Sequence, residues 1–171
     1  ILTDEKYFNG SLNDLIKLRK NTKTPILRKE FIVDEYQVYE AFISGADCIL
    51  IILSMIDLDL AKRIENVAIS LGLDAIIEVH NEKEINDAIK FNSNLIGINN
   101  RNLKDFTVDI NNAIRLANSI ETDKILISES GINSKSDINQ TITNSSIRTF
   151  LIGESLMRSK DIKAKFNNLI N

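Results

Sequence analysis

A lone cysteine, Cys48, excludes an internal disulfide in this chain of 171 residues and fits a reducing compartment, so the cytoplasm is the predicted location. A single proline and six glycines make no flexible or stiff linker. Residues 1–171 are therefore expected to form one domain, long enough to bury a real core. No apolar run approaches the roughly 20 residues needed to cross a bilayer, and no charged-then-apolar leader is visible. An excess of one charge sign is missing too. The net charge is −3, spread along the chain, which leaves no electrostatic footprint for nucleic acid. No Gly-x-Gly-x-x-Gly follows any apolar run, which weakens a dinucleotide-binding sheet. An initiator methionine is also lacking: the chain opens on Ile1-Leu2-Thr3, which reads as a fragment or a trimmed product.

What is present is a repeat of supersecondary pattern. Apolar, β-type runs fall at 25–27, 47–53, 74–79, 94–98, 124–127 and 148–152. Amphipathic, helix-type stretches lie between them at 12–20, 36–44, 58–71, 83–91, 111–119, 135–143 and 161–169. Such alternation predicts consecutive βαβ units and a parallel sheet. Cys48-Ile49-Leu50-Ile51-Ile52-Leu53 is apolar on both faces, as a strand covered by helices on one side and filled by core on the other should be. With Ile1-Leu2-Thr3 taken as the end of a strand, seven strand–helix units are predicted.

Polar residues and glycines concentrate where three of these runs end. The strings are Gly97-Ile98-Asn99-Asn100-Arg101-Asn102-Leu103, Ser128-Glu129-Ser130-Gly131-Ile132 and Ile152-Gly153-Glu154-Ser155-Leu156-Met157. Each marks a βα loop, the place where barrels of alternating strands and helices build their chemistry. A doubly wound open sheet shares the alternation. The late glycines, Gly131 and Gly153, favour a barrel, because the last βα loops of barrels commonly hold phosphate on backbone amides.

Six stretches in order resemble the indole-3-glycerol phosphate synthases of tryptophan biosynthesis. They are Leu2-Thr3-Asp4-Glu5-Lys6-Tyr7-Phe8 with Asn9-Gly10-Ser11, Pro25-Ile26-Leu27-Arg28-Lys29-Glu30-Phe31, Ile77-Glu78-Val79-His80, and the three strings above, the last extended to Arg158. The resemblance implies a (β/α)8 TIM barrel. It implies a carboxy-lyase that converts 1-(2-carboxyphenylamino)-1-deoxyribulose 5-phosphate to indole-3-glycerol phosphate, releasing carbon dioxide and water. It implies no metal and no organic cofactor, a small sugar-phosphate substrate, and neither nucleic acid nor membrane as partner.

Strand alternation gives a check on the site, since side chains two apart share a face. Lys29 shares the face of Leu27, Glu78 that of Ile76, Asn99 that of Gly97 and Glu129 that of Ile127, a ring of polar strand ends. A lysine facing a glutamate stabilises both charges and suits acid/base work. Ring closure needs a proton on a ketone oxygen, and dehydration moves protons off carbon and onto a leaving hydroxyl. Lys29 is assigned as general acid and Glu78 as general base. The resemblance gives Asn99 and Glu129 orienting roles in catalysis. It places the phosphate at Gly131, Gly153 and Glu154 with Ser130 alongside, largely through backbone amides. Many relatives carry serine where this chain has Glu154, so its side chain is expected to turn away while its N–H binds. Phe8, Phe31, Leu50 and Leu103 would wall the anthranilate ring, and Arg101 would pair with the substrate carboxylate or stand as an exposed loop arginine.

Blander readings accompany each of these residues. Lysine is rarely buried, so Lys29 taken alone is a surface lysine. Glu78 alone is a strand-end carboxylate, His80 is structural or solvated, Cys48 is a small buried hydrophobe, and the glycines serve turns.

The chain departs from the family in one large way. Members carry a first strand with Glu-x-Lys followed by Ser-Pro-Ser, preceded by extra helices, and Glu5-Lys6 belongs instead to the second unit's motif. The predicted fold is thus a barrel lacking its first βα unit, and its open edges predict a homodimer or a weakly stable barrel. Two other functions compete with the synthase: a Schiff-base, aldolase-like enzyme using Lys29 as nucleophile, and a non-catalytic partial barrel that binds sugar phosphates.

Overall fold

The computed structural model describes residues 1–103 and 105–171, which fall into two compact units. The first contains Ile1–Glu78 and Lys90–Asn94, and the second Val79–Ile89 and Leu95–Asn171. Six strands and nine helices are present among the described residues, alternating along the chain.

The first unit opens with α1 (Glu5–Phe8) and α2 (Leu12–Arg19), followed by β1 (Leu27–Arg28), α3 (Tyr36–Ser44), β2 (Cys48–Ile52), α4 (Leu58–Ser70) and all but the last residue of β3 (Asp74–Val79). β1 pairs with β2 and β2 with β3, both parallel, with Leu27 opposite Cys48 and Ile52 opposite Glu78. The helices start where short polar side chains cap them. Ser11 accepts the Asp14 N–H, and Asp57 accepts the Leu60 N–H at 2.8 Å. α4 buries Ala61, Ile64 and Ala68, three residues on one stripe, and packs on β2. Ile49, Leu50, Ile51 and Ile77 make the strand side of that core.

The second unit holds α5 (Glu82–Ala88), β4 (Leu95–Asn99), α6 (Asn111–Ala117), β5 (Ile125–Glu129), α7 (Lys135–Asn144), β6 (Thr149–Leu151), α8 (Glu154–Met157) and α9 (Ile162–Ile170). β4 pairs with β5 and β5 with β6, again parallel, with Asn99 opposite Glu129. α7 begins in a capping box, Ser134 and Asp137 each accepting the other's backbone N–H. Ile96, Ile98, Ala113, Leu116 and Ile147 are fully buried.

Parallel strands alternating with helices are the α/β arrangement that the sequence predicts. The run 25–27 differs: the strand is Leu27–Arg28, because the Ile26 N–H is taken by the Asp47 carboxylate at 2.6 Å and Pro25 has no N–H to offer. Ile1-Leu2-Thr3 contributes an isolated parallel bridge, Leu2 to Lys29, rather than a full strand. The helices expected at 83–91 and 111–119 end earlier, at Ala88 and Ala117. The one-turn helices α1 and α8 carry too few residues to show a period.

Candidate active site

In the first unit the chemistry gathers where β1 and β3 end. Glu78 lies one residue before the end of β3 and is 2% exposed. Its Oε2 stands 3.5 Å from Lys29 Nζ, and the lysine side chain keeps 31% of its surface open to solvent. A carboxylate so deeply buried needs a partner, and removing a partner from a buried ion pair costs about 3–5 kcal/mol. The backbone of Lys29 is fixed as well: its N–H donates to the Ile1 carbonyl at 2.7 Å, and its carbonyl accepts the Thr3 N–H at 3.3 Å. Arg28 and Glu30 flank it and take their own partners, among them Thr3.

The aromatic residues expected beside Lys29 come together. Phe8 and Phe31 rings lie 6.1 Å apart at 33°, and Tyr7 meets Phe31 edge-on at 6.3 Å. Phe8 is half exposed, whereas Leu50 is 1% exposed within β2.

The second unit presents a row of buried polar groups at the ends of β4 and β5. Asn99, Asn100, Ser128 and Glu129 are all 8% exposed or less. Asn99 Oδ1 accepts the Arg101 N–H at 2.9 Å, and its carbonyl accepts from Asn112 Nδ2 at 3.1 Å. Asn100, which sequence reasoning did not single out, spends both ends of its side-chain amide within the row and its flanks. Its Nδ2 donates to Ser128 Oγ and to the Ser130 carbonyl, each at 3.0 Å, and its Oδ1 accepts the Ala113 N–H at 2.9 Å. Its backbone N–H reaches the Glu129 carbonyl at 2.9 Å. The doubled Asn-Asn at a strand end was the available signal.

Ser130 and Gly131 follow β5 with φ of 63° and 81°, two consecutive left-handed residues that turn the chain sharply. Gly153 caps α8 with φ −126°, and nothing lies within 4 Å of where its side chain would be. Glu154 begins α8 and spreads its carboxylate between two guanidinium groups. One oxygen meets Arg101, and the other Arg158 at 2.9 Å. Arg101 is therefore engaged by Glu154, and Leu103 is 38% exposed.

His80 is part of a local structural contact. Its N–H donates to Glu84 Oε2 at 2.7 Å, and its ring Nδ1 lies 3.3 Å from the same oxygen. Burial alone would raise the Glu84 carboxyl, but the hydrogen bonds from the His80 ring and backbone outweigh it and hold the group below the usual carboxylate range. The Cys48 thiol is pushed up to about 12, chiefly by burial and then by the Asp74 carboxylate. Among the described residues no cluster of three or more His, Cys, Asp or Glu side chains is placed to hold a metal ion. No helix among them is long and apolar enough to cross a membrane.

Comparison with known proteins follows the same lines. The family model for indole-3-glycerol phosphate synthase matches residues 1–169. The synthase of Polaromonas sp. is 42% identical over 161 residues, covering 94% of this chain and 61% of its own. That of Ruminiclostridium cellulolyticum is 43% identical over 169 residues, covering 99% and 65%. That of Azospirillum brasilense is 43% identical over 170 residues, covering 99% and 64%. The chain thus spans slightly less than two thirds of the length of these relatives. A solved structure described as "Native KDPGal structure" superposes with a TM-score of 0.65 over 96% of this chain and 73% of its own, at 13% identity, a likeness of fold alone. With a matching family model over nearly its whole length, the chain belongs to the indole-3-glycerol phosphate synthase family.

Proposed function

We propose that the protein closes the indole ring of 1-(2-carboxyphenylamino)-1-deoxyribulose 5-phosphate, giving indole-3-glycerol phosphate, carbon dioxide and water. The observation that carries this reading is the Lys29–Glu78 pair: a buried carboxylate and a half-open amine 3.5 Å apart at strand ends. Lys29 donates a proton to the ketone oxygen as the ring carbon attacks, and decarboxylation restores the aromatic ring. Glu78 then takes the proton that leaves carbon, and Lys29, reprotonated from solvent, protonates the hydroxyl, which departs as water. Asn99 and Glu129 orient the reacting groups. Phe8, Phe31, Leu50 and Leu103 wall the aromatic ring. Backbone amides at Ser130, Gly131, Gly153 and Glu154 hold the phosphate, and the open space at Gly153 supports a close approach there. With its carboxylate held by Arg101 and Arg158, Glu154 keeps its negative charge engaged with cations. The chemistry proceeds in the cytoplasm without a cofactor.

The proposed whole fold is an eight-membered (β/α) barrel, with the first strand–helix unit supplied by the additional length seen in the relatives. In the chain without that unit, β6 is paired on one side, with β5, among the described residues, and such an edge favours self-association. Light scattering at twice the chain mass would support a homodimer, and a monomer at every concentration would reject it.

The function is tested by following indole fluorescence from the carboxyphenylamino substrate with the full-length protein and its Lys29→Ala and Glu78→Gln variants. Each variant is expected to lose about 10²–10⁴-fold in kcat. Unchanged turnover in Lys29→Ala would remove Lys29 as the acid. A borohydride-trapped adduct on Lys29 would favour the Schiff-base reaction instead. Substrate binding with no turnover in the parent protein would favour the non-catalytic reading.

A further inference from the structure

The end of β1 carries different chemistry on its two faces. Neighbouring side chains of an extended strand alternate, so Lys29 meets Glu78 while Arg28 and Glu30 lie on the opposite side, against α3. Arg28 is 4% exposed and fully engaged. Its Nε donates to Thr3 Oγ1 at 3.2 Å, one terminal nitrogen to the Gln37 carbonyl at 2.8 Å, and the other to Glu40 Oε2 at 3.2 Å. Glu30 Oε2 lies 4.0 Å from that last nitrogen and accepts the Thr3 hydroxyl at 2.5 Å. Its other oxygen accepts the Phe31 N–H at 2.9 Å, and Gln37 donates to the Phe31 carbonyl at 3.0 Å.

Thr3 is the hinge pin of this cluster. Its hydroxyl donates to Glu30 and accepts from Arg28, and its own N–H binds the carbonyl of Lys29, the residue between them. A buried arginine is costly to desolvate, and a half-satisfied polar cluster is worse than an apolar one. The groups here end on main chain around Lys29 and Phe31, on another member of the cluster, or on Gln37 and Glu40 of α3. We propose that Thr3, Arg28 and Glu30 brace the backbone of Lys29 from behind and so set its amine against Glu78, making them positioning residues for the proton donor. The inference rests on the reading of Lys29 as the general acid.

Thr3→Val keeps the shape of the side chain and removes both hydroxyl bonds, and Thr3→Ser restores them. Two readouts are taken on the full-length protein, each normalised to the folded fraction. One is steady-state turnover of the carboxyphenylamino substrate. The other is the rate at which sulfosuccinimidyl acetate acylates Lys29, resolved from other lysines by peptide mass. Thr3→Val is expected to lose about tenfold in kcat with KM within about twofold, and to acylate at Lys29 about threefold faster or more as the amine loses its fixed position against Glu78. Thr3→Ser should match the parent in both. The brace is overturned if Thr3→Val matches the parent in acylation, or if Thr3→Ser is as impaired as Thr3→Val. If Lys29→Ala keeps full turnover, the acid reading fails by itself. The acylation rates then still decide the brace, a rise in Thr3→Val supporting it and no change rejecting it.

Discussion

Gly131 packs against Val108 so closely that a methyl group added to the glycine would lie 2.7 Å from Val108 Cγ1, and 3.0 Å from Ile110 Cγ2 besides. The glycine also stands at φ 81°, where L side chains are strained. Gly131→Ala is expected to destabilise the protein by about 2–4 kcal/mol, the strain and the clash acting together. Gly153→Ala, with open space and a negative φ, should stay within about 0.5 kcal/mol. Thermal unfolding of the two variants side by side reads the contrast. A KM increase confined to Gly153→Ala, with stability kept, would mark close ligand approach at that position.

Asn100 spends its amide on three partners in a region that is almost dry. Asn100→Ala leaves the Ala113 N–H and the Ser128 hydroxyl short of a partner, at a cost of about 2–4 kcal/mol. Denaturant unfolding should show the midpoint fall with little change in slope. A loss under about 0.5 kcal/mol would mean that the freed groups find other partners.

Glu84 predicts a feature of the acid limb. Its carboxyl is held below the ordinary value in the folded protein, so its contribution is fully present above the unfolded value of about 4.3 and disappears as pH falls through the lower folded one. Glu84→Gln should therefore be less stable than the parent at pH 6, with the gap closing as the pH drops below about 4. Stability measured at both pH values decides it; a gap that does not depend on pH would contradict the assignment.

Cys48, with its thiol pushed up to about 12, has almost no thiolate at neutral pH. Ellman's reagent should react with it far more slowly in the native protein than in urea. Equal rates would mean that the strand opens freely around it.

Much of the architecture was legible in the chain because hydrophobic runs and caps coincide. Residues 74–79 read as a strand and form β3 over those same residues, and Tyr36–Ser44 is the helix its pattern predicts. Lys29 and Glu78 were legible as candidates through the family resemblance, with alternation as a check on their faces, and the structure brings them within ion-pair distance. What escaped was the second face of the same strand end. Arg28 and Glu30 look like ordinary solvated charges, and only long-range contacts, to Thr3 some 25 residues away and from Arg28 to α3, reveal why Arg28 is buried and Glu30 engaged. Asn100 escaped for a related reason: its partners lie in Ser128 and Ser130, a strand away. Arg101 was legible as a cation at a loop, but Glu154, 53 residues on, is what engages it.

The bridge between Leu2 and Lys29 ties two events into one. Because both main-chain groups of Lys29 are bonded to Ile1 and Thr3, opening of that short segment releases the lysine's own amide at the same moment. Hydrogen exchange at the Lys29 amide thus measures how often this segment opens and frees the backbone that carries the Lys29 side chain.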